Sequence, residues 1–100
     1  MSKDFSFTKH KNCEKILEMF SLFSNELRFK TLCLLTDGDY CVNDIVEAIG
    51  GKHSNVSQQL KMLTMAGYLS RERKGKQVFY HLEIEKLKDV VKDLQNLFKK

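Results

Sequence analysis

Two stretches of this chain carry residues able to grip and read a polyanion. From position 53 to 61, His53, Ser54, Asn55, Ser57, Gln58 and Lys61 fall on one polar face at helical spacing. Ser, Asn and Gln side chains suit base edges because each can donate and accept hydrogen bonds, and Lys61 can reach a phosphate. From 71 to 76, Arg71, Arg73, Lys74 and Lys76 place four cations in six positions around Gly75, with Gln77 next. Such a run can lie along a nucleic-acid backbone or reach into a minor groove. A polar helix face and a charge run are each, taken alone, also what an ordinary solvated surface looks like. Placed next to each other they favour phosphate contact.

The remaining reactive side chains form no catalytic set. No nucleophile is paired with a base and a third group, no Gly-rich loop cradles phosphates, and no metal triad stands at ligand spacing. No enzyme activity, cofactor or metal is therefore expected. The three cysteines, Cys13, Cys33 and Cys41, contain no CxxC pair, so a disulfide framework is not expected and free thiols fit a reducing compartment. Cys33 sits among leucines, the setting of an inert core thiol. Cys41 falls at the start of a helix, whose N-terminus favours a thiolate while Asp39, Asp44 and Glu47 oppose it. It reads equally as a reactive thiol or a plain cap. His10, His53 and His81 are scattered, and His81 is expected to cap a strand at the surface.

The elements that must position these groups follow from the hydrophobic pattern. One hundred residues make one domain, and 42% hydrophobic with 30% charged residues allow a core and argue against disorder. The net charge of +4 permits nucleic acid as a partner. No apolar run approaches a membrane span, and the start MSKDFSFTKHKN lacks a signal-peptide hydrophobic stretch, so a cytoplasmic location is expected. Residues 1–12 read as a flexible tail and 13–100 as the folded domain. Ile16, Leu17, Phe20 and Phe23 predict a first helix over Cys13–Phe23. Ser24 or Asn25 can cap a second, lined by Leu27, Leu32 and Leu35, and broken at Thr36-Asp37-Gly38-Asp39. Val42, Ile45, Val46 and Ile49 mark a third, ended by Gly50-Gly51; Val56, Leu60 and Leu63 mark a fourth, ended at Gly67. Strands over 68–73 and 77–82 flank Lys74-Gly75-Lys76 as a hairpin. An apolar stripe from Ile84 through Leu87, Val90, Val91, Leu94 and Leu97 to Phe98 closes the chain as a last helix. Mainly α with a β-hairpin, in the order α-α-α-α-β-β-α, describes a winged helix-turn-helix.

At this point the residues resemble a family. Asn25-Glu26-Leu27-Arg28, Tyr40 to Ile45, Ser54 to Leu63, Ala66 to Leu69 and Arg71 to Leu82 are similar to the ArsR/SmtB family of small bacterial repressors. The resemblance implies a winged-helix homodimer that occupies an operator and releases it when an inducer acts. It implies DNA contacts from His53, Ser54, Asn55, Ser57, Gln58, Lys61, Arg71, Arg73, Lys74, Lys76 and Gln77. It also implies pairing of protomers through the first and last helices, here Ile16, Phe20, Leu87, Val91, Leu94 and Phe98. Gly51 and Lys52 depart from the family's Leu and capping Ser, leaving His53 or Ser54 to take over capping.

The family's sensing sites are only partly represented. A zinc site on the last helix maps onto Ile84, Lys86, Leu97 and Lys100, which cannot ligate a metal. A Cys-x-Cys site keeps Cys41 but has Asn43 as its second member. A dithiol site keeps Cys33 but has no thiol near Lys99. Release through oxidation or reactive sulfur at Cys33, Cys41 or Cys13 is the expectation. A soft-metal repressor using Cys13, Cys33 and Cys41 is one alternative. The other is a winged-helix module that binds protein, which the basic wing disfavours.

Overall fold

The computed structural model describes residues 12–99; the tail expected before Asn12, and His10 with it, lies outside them. Helix α1 runs over Cys13–Phe23. Its Met19, Leu22 and Phe23 lean on the core, while Ile16, Leu17 and Phe20 point away from it. Helix α2 covers Glu26–Leu35, and Asn25, not Ser24, is its cap: the Asn25 Oδ1 accepts from the Arg28 backbone N–H at 2.9 Å. The Ser24 hydroxyl instead donates back to the Ser21 carbonyl at 2.7 Å.

Between α2 and helix α3 (Val42–Ile49) the chain forms a strand that the hydrophobic pattern does not predict, β1 at Tyr40–Cys41. Two residues are too few for a period-2 pattern to register. Helix α4 spans His53–Met65. Gly50 (φ 82°) and Gly51 (φ 94°) make the turn between α3 and α4, a backbone that a side chain would strain. Capping by His53 or Ser54 does not occur, because the N-cap position falls on Lys52, which makes no side-chain cap. At the other end Gly67 is left-handed (φ 89°), and Tyr68 N–H returns to the Leu63 carbonyl at 3.0 Å, closing a Schellman motif.

Strands β2 (Leu69–Lys74) and β3 (Gln77–Leu82) pair antiparallel from Leu69↔Leu82 to Lys74↔Gln77, leaving a two-residue turn at Gly75-Lys76. β1 adds to the far edge of β3, giving the order β1-β3-β2. Helix α5, Lys86–Asn96, closes the fold. The winged helix-turn-helix expected from the sequence is therefore present, with one extra short strand.

The core joins Leu32 and Leu35 of α2, Ile45 of α3, Val56, Leu60 and Leu63 of α4, and Leu69, Tyr80 and Leu82 of the hairpin. Each fully buried Leu adds roughly 1.5–3 kcal/mol to folding. Leu87 and Val91 of α5 also belong to this core. That corrects their assignment to a protomer interface, since their side chains are already covered within one chain. Ile16, Phe20, Leu94 and Phe98, from the same assignment, remain exposed. Among the described residues no helix is long and apolar enough to cross a membrane.

Candidate nucleic-acid interface

Burying Val56, Leu60 and Leu63 turns the opposite side of α4 outward. Ser54, Ser57, Gln58 and Lys61 on that side line an open groove of about 740 Å³ together with Thr64, Met65, Arg71 and Tyr80. One wall is therefore α4 and the other is the base of the hairpin. No acidic side chain lines it. Small hydroxyls, one amide and two cations in a concave strip can meet base edges and a phosphate backbone at once.

Strand register sorts the wing cations. Side chains alternate across a strand, so Arg71 and Arg73 share the face of Leu69, and Tyr80, which pairs with Arg71, puts that face toward α4. Lys74 falls on the other face, with Glu72. Its ammonium lies 3.7 Å from Glu72 Oε1 and 5.6 Å from the centre of the Phe79 ring. On that same side His81 Nδ1 meets Asp39 Oδ1 at 2.8 Å, tying β3 to the loop before β1. The histidine is half-exposed, as the sequence implied, but it serves as a cross-link and not as a strand cap.

The remaining expected contacts divide between two smaller grooves. His53, Lys76 and Gln77 line one of about 210 Å³ beside Cys41 and Asn43, between the start of α3 and the wing tip. Asn55 lines another, of about 350 Å³, with Asn25, Ile49 and Gly51. Its Oδ1 accepts from Gln59 Nε2 at 3.4 Å, and Gln59 Oε1 in turn accepts from Arg28 Nη1 at 2.7 Å. Sequence reasoning missed Arg28 and Gln59 as functional candidates. The signal was faint: Arg28 appeared only within the string Asn25-Glu26-Leu27-Arg28, and its partner on α4 is far away in the chain.

The thiols are separate from this surface or hidden behind it. All three cysteines are free. Cys41 does occupy the N-cap of α3, but its side chain makes no cap hydrogen bond and only 4% of the residue is exposed. Cys33 is half-buried, and burial, reinforced by the negative charge of Asp37, pushes its thiol above the ordinary range. Among the described residues no three His, Cys, Asp or Glu side chains are grouped to hold a metal, so Cys13, Cys33 and Cys41 do not converge.

The pattern of the arsR family of bacterial regulatory proteins matches residues 25–71, from the α2 cap to Arg71 in the wing. This class comprises winged-helix transcriptional regulators that bind DNA. Among its relatives is the HTH-type transcriptional regulator KmtR of Mycobacterium tuberculosis, 33% identical over 78 residues, or 78% of this chain and 60% of KmtR. The chain thus spans 60% of that relative's length. The transcriptional activator HlyU of Vibrio cholerae is 27% identical over 88 residues, covering 88% of this chain and 82% of HlyU. The crystal structure of the transcriptional repressor BigR from Xylella fastidiosa superposes with a TM-score of 0.85 at 26% identity, covering 100% of this chain and 99% of that one.

Proposed function

We propose that this protein is a sequence-specific transcriptional repressor that binds an inverted-repeat operator as a homodimer. The observation that carries the reading is the groove in which Ser54, Ser57, Gln58 and Lys61 of α4 face Arg71 of the wing. In this reading α4 enters the major groove, and Arg71, Arg73 and Lys76 follow the backbone. Two copies related by a twofold axis place their recognition helices about 34–36 Å apart, one turn of duplex. Selection of duplexes from a random library on the full chain tests this. An enriched inverted repeat with half-sites one turn apart is expected; a library that stays random would overturn it. Because the relatives include an activator, transcription from the selected site with and without the protein decides between repression and activation. The role belongs in the cytosol, where thiols stay reduced.

Release through thiol chemistry is a second part of the reading. The packing of Cys33 against the core supports it, because a group added at that half-buried sulfur would push its neighbours aside. Diamide with glutathione would form the adduct: two thiols lose their protons and two electrons to diamide, and a mixed disulfide results. Weaker binding in wild type but not in Cys33→Ser is the expected result, with Cys41→Ser and Cys13→Ser as comparisons. Unchanged binding after complete modification of Cys33 would remove it.

A further inference from the structure

We propose that Arg28 is a positioning residue for DNA reading: its guanidinium joins the end of α1 to α4 and fixes which hydrogen-bonding group Asn55 presents to DNA. The inference rests on α4 being the helix that reads the duplex.

Arg28 lies in the first turn of α2, and its side chain turns away from its own helix. Nε donates to the Leu22 carbonyl at 3.1 Å, in the last turn of α1, where carbonyls lack intrahelical partners. Nη1 donates to Gln59 Oε1 at 2.7 Å and lies 3.8 Å from Met62 Sδ, further along the same side of α4. No carboxylate among the described residues forms an ion pair with it. Its donors therefore go to neutral acceptors on two other helices, a geometric role that the planar fork fits and a single ammonium does not.

The direction of these bonds has a consequence for specificity. A guanidinium only donates, so Gln59 must turn its amide oxygen to Arg28 and its NH2 toward Asn55. Asn55 then turns Oδ1 to Gln59, at 3.4 Å, and leaves its own NH2 as the outward group. Asn55 is exposed at the start of α4. Held this way it meets an acceptor, such as a purine N7, thymine O4 or a phosphate oxygen. A free asparagine would be able to reverse its amide and accept instead.

The probes are a duplex enriched from a random library on the wild-type full chain and a scrambled duplex of the same composition. Arg28→Gln is expected to lower affinity for the selected duplex about tenfold, and for the scrambled one less than about twofold. Arg28→Lys, which keeps the charge and loses the fork, should be as poor. Gln59→Ala should show the same loss, and adding it to Arg28→Gln should cost nothing more. Gln59→Glu keeps an acceptor for Arg28 but has no NH2 for Asn55, and it should also lose the ratio between the two duplexes. Should Arg28→Gln fold poorly, the two Gln59 variants carry the same comparison. A wild-type ratio in Arg28→Lys, an equal loss on both duplexes, or additive losses would each overturn the proposal. Gln58→Ala separates the two layers: if it alone loses the ratio, α4 reads DNA without the Arg28 relay; if no variant does, the relay and the α4 reading fall together.

Discussion

Gln58 stands in the middle of the outward face of α4, with Ser54 and Lys61 on either side of it in the same groove. No hydrogen bond to another described side chain engages it, in contrast to Gln59 beside it. Its amide is thus free to pair with a base edge, and Gln58→Ala is expected to weaken binding to the selected operator by about 1–3 kcal/mol, while scrambled DNA is hardly affected. Titration of both duplexes checks it. That face was legible in the sequence because Val56, Leu60 and Leu63 announce the buried side and leave the other by subtraction. The division of labour between Gln58 and Gln59 was not, since it depends on Arg28, 31 positions earlier in the chain. Cys33 behaves as its surroundings dictate. Burial and Asp37 hold its proton more tightly than in the unfolded chain. The stabilisation this gives is fully present below the unfolded thiol's range and is lost as pH rises through the folded one. Iodoacetamide should therefore label Cys33 in the native protein more slowly than in denaturant at neutral pH. Replacing Cys33 by Ser should also flatten the loss of stability at alkaline pH seen in thermal melts.

At the scale of elements, the hairpin shows what charge counting leaves out. The run from Arg71 to Lys76 reads as one cationic block in the sequence, yet pairing in register with β3 divides it between two faces. Arg71 and Arg73 share the α4 side, Lys76 is in the turn, and Lys74 is occupied by Glu72 and Phe79 on the reverse. Removing one phosphate-binding cation should reduce the salt slope of binding by about 0.9 in magnitude. Arg73→Ala and Lys76→Ala are each expected to do so, with a smaller change from Lys74→Ala. Equal changes for all three in a salt titration would mean that the wing bends on DNA and both faces reach the backbone. The helices and the hairpin were readable because each repeats its period over several turns or pairs. Strand β1 was not, because Tyr40 and Cys41 gain their strand character only from Tyr80 and Phe79 across the sheet. The missing cap of α4 belongs to the same category: Gly50 and Gly51 set where the helix begins, and that start falls on Lys52.

For the whole molecule, the decisive feature is that α5 carries two apolar stripes where the sequence shows one. Leu87 and Val91 turn into the protomer, and Val90 and Leu94 turn outward, continued just past the helix end by Leu97 and Phe98, the latter 86% exposed. On α1, Ile16, Leu17 and Phe20 are also uncovered, Phe20 at 58%. Helices α1 and α5 thus both leave large apolar side chains exposed, the arrangement expected of a surface that a second copy covers. The two stripes make different predictions for the same substitution. Leu87→Asp places a carboxylate in the buried core with no partner, and the protomer itself should fail to fold. Leu94 is 36% exposed, so Leu94→Asp leaves its carboxylate in water while the chain is alone. The penalty appears only on association and is incurred by both copies, about 3 kcal/mol in all, enough to weaken the dimer roughly a hundredfold. Sedimentation should accordingly show a folded monomer at micromolar concentration, with a cooperative melt retained. Operator affinity should fall with it, because a single recognition helix reaches only one half-site. A Leu94→Asp protein that sediments as a dimer and binds the selected operator as tightly as wild type would place the pairing surface on another face.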